Sequence, residues 1–144
     1  MTPEALTAFL QQEIPLTAAM QLRVTQCGEG RLRIAAPLDA NRNPHGTVFG
    51  GSLATLGIVA GWTLLYVELQ AEQLHPNLVI QHYDCDYLAP GTATFFAEAQ
   101  LPEDWPRFIE QLRAGRRSRL DVAVRLTCED REILTARARY AALP

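Results

Sequence analysis

Asp39-Ala40-Asn41-Arg42-Asn43-Pro44-His45-Gly46-Thr47-Val48-Phe49-Gly50-Gly51 is crowded with turn-forming residues, and it runs directly into an apolar stretch that continues to about Gln70. Asn, Pro and Gly at this density read as a loop. The stretch beyond it is hydrophobic nearly all round, which at helical length implies burial on every side rather than one solvated face. Its most apolar part, Leu53 to Val67, is shorter than the roughly 20 residues a membrane span needs. Gly57, Gly61, Thr55 and Thr63 interrupt it. The expectation is one long helix in the middle of a soluble domain.

The flanking segments supply what would surround such a helix. Thr2-Pro3-Glu4 resembles an N-cap with Pro at the first helical position, and Leu6, Phe9 and Leu10 recur at helical spacing until Pro15. Leu22 and Val24, then Leu32 and Ile34, alternate with polar residues around Gly28-Glu29-Gly30, the pattern of a hairpin. Beyond Pro76, alternation predicts strands over about 78–88, 91–101, 118–128 and 132–142. Glu103 to Gly115 interrupts them as a short helix or loop. The predicted class is α+β: a curled six-stranded, largely antiparallel sheet wrapped around one long central helix. No linker or repeat divides residues 1–144, so a single domain is expected.

Composition narrows the function classes. Hydrophobic residues make up 48% of the chain, enough for a packed core, and the net charge of −3 argues against coating nucleic acid. All 13 basic residues are Arg. Cys27, Cys85 and Cys128 are dispersed without a metal-ligand spacing, which fits free thiols in a reducing compartment. The first 13 residues hold two acids and no basic run, unlike a secretory leader. No metal site, nucleic acid or membrane is expected, and the expected location is cytoplasmic.

Asn43 to Gly51, read as N-x-x-G-T-V-x-G-G, resembles the helix-entry motif of hotdog-fold acyl thioesterases. Tyr87-Leu88-Ala89-Pro90 fits the same superfamily, and Phe49 before the Gly pair with Gly61-Trp62 in the helix is most similar to the YiiD C-terminal type of thioesterase. The implied activity is hydrolysis of a thioester of coenzyme A or of an acyl carrier protein. Coenzyme A or phosphopantetheine would then be part of the substrate, not a cofactor. The implied roles are an oxyanion donor for the Gly50 amide and positioning of water or substrate for Asn43. Gly46, Gly51 and Ser52 are candidate substrate contacts. Physically, a helix N-terminus offers unpaired N–H groups and the positive end of the dipole, and glycine lets a carbonyl come close.

The chain departs from that pattern where chemistry matters. Many thioesterases of this motif have His before the Gly pair and an acid seven positions after it; this sequence has Phe49 and Ile58. Asp84 and Asp86 share one strand face with His82 and are the first candidates for a base, with the loop residue His45 next. Alternating polar residues are equally what a half-buried strand displays. Arg116 and Arg117, flanked by Arg113 and Arg119, could hold substrate phosphates or simply be solvated. A second reading is therefore a non-catalytic acyl-CoA or acyl-carrier binding module that has lost the helix carboxylate. The resemblance further implies a homodimer or higher assembly with shared sites, Asn43 of one subunit facing Asp84 or Asp86 of the other, and admits an acetyltransferase partner.

Overall fold

The computed structural model describes residues 1–144. Helix α1 (Pro3–Glu13) and the short α2 (Pro15–Ala19) precede a hairpin of β1 (Arg23–Gly28) and β2 (Arg31–Ala36). A single helical turn at Asp39–Asn41 leads to α3 (Gly50–Ala71), then β3 (Asn77–Tyr87), β4 (Phe95–Gln100), α4 (Trp105–Arg113), β5 (Ser118–Cys128) and β6 (Arg131–Leu143). Pro15 ends the first helix as expected and also starts a second, because its fixed φ suits a first helical position. Glu103 to Gly115 resolves as helix, with Phe108 and Ile109 turned inward. The fourth strand starts at Phe95 rather than near residue 91, since the Gly91 carbonyl is taken by the Val48 amide of the loop before α3.

The six strands form one sheet in the order β1-β2-β4-β5-β6-β3, and every neighbouring pair is antiparallel. Helix α3 touches all six. Leu53, Leu56, Ala60, Leu64 and Leu65 on the helix pack with Ile34, Phe95, Val122, Leu126 and Tyr140 from the sheet in one core. Each buried Leu, Ile, Val or Phe among them contributes roughly 1.5–3 kcal/mol by leaving water. The 22-residue length of α3 would suffice for a membrane span, but its apolar surface is occupied by this sheet.

Burial of α3 is not complete, which corrects the expectation from its composition. Ala54, Thr55, Ile58, Trp62 and Tyr66 are only half-buried and recur at helical spacing, so they form a single stripe. An open sheet has two free edges and cannot close over a helix. Beside this stripe the packing is tight. A Cβ at Gly57 would collide with the Tyr83 hydroxyl and one at Gly61 with the Tyr140 hydroxyl, which itself donates to the Ile58 carbonyl. Glu68 accepts the Gly30 amide at 2.7 Å and so ties the β1–β2 turn to the helix.

Candidate active site

The loop before α3 is organised by one side chain. Asn43 Oδ1 accepts from the amides of His45 (2.9 Å) and Thr47 (3.1 Å), while its Nδ2 donates to Thr47 Oγ1 at 2.8 Å. Gly46 takes φ +79 at the tip, a left-handed value that explains glycine there without a ligand. Below the loop, buried Asn41 donates to the carbonyls of Met20 and Pro37, and its own carbonyl accepts the Phe49 amide at 2.7 Å. The chain therefore enters α3 along a fixed path.

Phe49 occupies the N-cap position without a side-chain cap. Its carbonyl accepts the amides of Ser52 (2.9 Å) and Leu53 (3.1 Å), and the N–H groups of Gly50 and Gly51 have no acceptor within the chain. Two orphan donors thus stand at the positive end of a 22-residue helix, on half-exposed glycines. Ser52 lies inside the first turn and is not the cap.

Strand β3 forms the wall beside them. Tyr83, Cys85 and Tyr87 face α3: the Tyr83 hydroxyl abuts Gly57, and the Tyr87 hydroxyl donates to the Gly50 carbonyl at 2.9 Å. Burial raises the pKa of the Tyr87 phenol, and a hydrogen bond with Cys85 raises it further. Burial likewise holds the Tyr83 phenol protonated, and its hydroxyl is enclosed without a hydrogen-bond partner. The Y-L-x-P pattern from Tyr87 to Pro90 marks the place where β3 reaches the helix start.

The other row of β3 points elsewhere within the chain. Strand alternation puts His82, Asp84 and Asp86 on the outer face of the sheet, away from Gly50. His82 Nε2 and Asp84 Oδ2 lie 3.2 Å apart with side chains 64% and 70% exposed. Neither carboxylate is brought to the orphan amides. The Asn43 amide is engaged mainly by its own loop, its oxygen accepting twice and its nitrogen donating once, which leaves one N–H of the NH2 group as a donor. His45 is exposed on that loop, and its imidazole makes no hydrogen bond in the chain.

Arg116 and Arg117 are exposed beyond α4, at the opposite end of the sheet. Ser118 pairs with Ala142, which pairs with Leu78, nine residues before Tyr87. At the rise of a strand that is roughly 30 Å. Within one chain these arginines and the Gly50 amide do not meet.

Solved structures share this architecture. A "putative thioesterase" from Shewanella oneidensis is 25% identical, with a TM-score of 0.91 over 99% of this chain and 97% of that one. A protein of unknown function from Chlorobaculum tepidum is 24% identical, with a TM-score of 0.91 over 98% and 93%. A mutant thioesterase from Pseudomonas aeruginosa is 18% identical, with a TM-score of 0.78 over 100% and 95%, a likeness of fold. From residue 3 to residue 144 the sequence matches the family described as "Putative thioesterase (yiiD_Cterm)", and with its curled sheet and buried helix the chain belongs to that hotdog-fold family.

Proposed function

We propose that this protein hydrolyses acyl thioesters of coenzyme A or of an acyl carrier protein in the cytoplasm. The observation that carries the reading is the pair of acceptor-free N–H groups at Gly50 and Gly51. A thioester carbonyl seated there would develop negative charge as water attacks, and one such donor is worth roughly 2.7–4 kcal/mol in a preorganised site. Tyr87 holds the helix start, and Asn43 shapes the loop that leads to it. Ser52 and Gly51 border the seat. With Asp84 and Asp86 turned outward, His45 is the remaining candidate base from this chain.

The working unit is a two-fold dimer. Strand β3 is a free edge of 11 residues, and next to it Phe49, Tyr87 and Leu88 are each more than half exposed. Long unprotected edges of this kind favour pairing with another strand. Antiparallel pairing of two β3 strands would join the sheets and cover this apolar patch. Light scattering then reports at least twice 16.0 kDa.

A second reading, a binding module without turnover, is favoured by Phe49 and Ile58 standing where related enzymes carry His and an acid. A panel of short, medium and long acyl-CoA and acyl-carrier substrates separates the two. Turnover above the buffer rate supports the hydrolase. Tight binding by calorimetry with no turnover supports the module.

A further inference from the structure

Where α4 hands over to β5, a cavity of about 630 Å³ opens at the rim formed by the strand ends. Arg107, Arg117 and Arg119 line it together with Asp104, Gln111 and Gln81. None of these three guanidiniums is in an ion pair, whereas Arg33, Arg113, Arg125 and Arg139 each hold a Glu or Asp. Gln111 Oε1 accepts from Ser118 Oγ, which leaves its NH2 group as a donor. Three free cations against one acid, in a cleft of ligand size, describe a site for a multiply charged anion.

Within one chain the cavity is too far from Gly50 to serve the same ligand. Pairing two β3 strands over residues 77–87 about a two-fold axis at His82 changes that, because it sets Tyr87 opposite the partner's Asn77. The partner subunit's Ser118 then lies three strand spacings from Tyr87, roughly 14 Å. That gap suits the arm between a thioester and its phosphates. We propose that this cavity binds the phosphate-bearing end of the thioester seated at Gly50 of the paired subunit, and that it selects acyl-CoA. This inference rests on the thioesterase reading for the thioester and on the β3 pairing for the distance. The nucleotide end of coenzyme A carries a diphosphate and a phosphate monoester, enough to engage three guanidiniums. A carrier-linked arm carries one phosphodiester.

The test uses the triple variant Arg107→Gln/Arg117→Gln/Arg119→Gln, whose substituted side chains are all exposed, so that folding is preserved. Adenosine 3′,5′-bisphosphate is titrated by calorimetry, and KM is measured for acyl-CoA and for acyl-pantetheine, which lacks phosphates. The expected result is bisphosphate binding to the wild type that the variant loses. The KM for acyl-CoA rises by about tenfold or more relative to that for acyl-pantetheine. A wild type that binds no bisphosphate, or a KM change of the same size for both thioesters, overturns the proposal. If the wild type hydrolyses neither thioester, the hydrolase reading fails alone, and the titration still decides whether the cavity is an anion site. A monomeric edge variant, Val79→Lys, should keep bisphosphate binding and lose the preference for acyl-CoA. Retention of that preference by the monomer overturns the cross-subunit placement.

Discussion

The Tyr87 hydroxyl donates to the Gly50 carbonyl at 2.9 Å, so the edge strand of the sheet is fastened to the first turn of the central helix. That carbonyl belongs to the same peptide group as the Gly51 N–H. A hydrogen bond at one end of a peptide polarises the other, which strengthens Gly51 as a donor. Tyr87 is thus a positioning residue for the oxyanion seat. Tyr87→Phe keeps the ring and removes the bond, a change worth about 1 kcal/mol. The expected outcome is a kcat lowered by roughly fivefold with KM little changed. A lower melting temperature with kcat intact would reduce Tyr87 to a brace.

Asp84 and Asp86 yield the opposite expectation. Both face away from Gly50, and Asp84 is engaged with His82 at 3.2 Å. Asp84→Asn and Asp86→Asn should each leave kcat within about twofold of the wild type, the usual scale of an exposed substitution. Steady-state kinetics on the two purified variants check this. A loss of a hundredfold in either would mean that the carboxylate reaches a site the monomer geometry denies it.

Two of the four glycines of α3, Gly61 and Gly50, separate packing from chemistry. At Gly61 a Cβ would strike the hydroxyl and ring of Tyr140, which is fully buried. Overpacking costs about 1–3 kcal/mol and outweighs the roughly 1 kcal/mol that Ala gains over Gly in a helix. Gly61→Ala should therefore lower the melting temperature, and adding Tyr140→Phe should restore part of it. At Gly50 a Cβ would meet Tyr87 only at 3.4 Å, an ordinary contact. Gly50→Ala should fold normally and lose activity, and thermal melts beside kinetics distinguish the two cases.

The apolar run ending at Gln70 announced the central helix because no surface helix has that composition, and period-2 alternation gave the strands around it. The half-buried stripe through Ile58 and Trp62 was not legible, since composition reports how apolar a helix is and not where its sheet stops. Alternation grouped His82 with Asp84 and Asp86 correctly but could not tell which face of β3 would meet the helix. In the structure the Tyr83 row meets α3, and Gly57 leaves the room that the Tyr83 hydroxyl occupies. Asn43 stood out for its motif. Its hydrogen bonds to residues two and four positions ahead are a local Asx arrangement that the N-P-H-G-T string also permits.

The outer face of the sheet sets the response to acid. Glu98 bonds Arg33 at 3.0 Å and Arg125 at 3.1 Å, and Asp121 bonds Arg139 at 2.8 Å. Partial burial pushes the Glu98 carboxyl up, but hydrogen bonds and charge from Arg125 and Arg33 outweigh it and hold the pKa below its ordinary value. For Asp121 the Arg139 hydrogen bond dominates and lowers the pKa against a smaller burial effect. A carboxyl with a folded pKa below its unfolded one binds protons more readily when unfolded. Its stabilisation is complete above the ordinary values of 4.5 and 3.8 and is lost as pH falls through the folded ones. These groups are partly solvated, so the effect is small and screened by salt. The double variant Glu98→Gln/Asp121→Asn should melt below the wild type at pH 7 in low salt, and the gap should narrow towards pH 3. Melting curves at both pH values decide it, since an undiminished gap at pH 3 would show that these residues stabilise by packing rather than by charge.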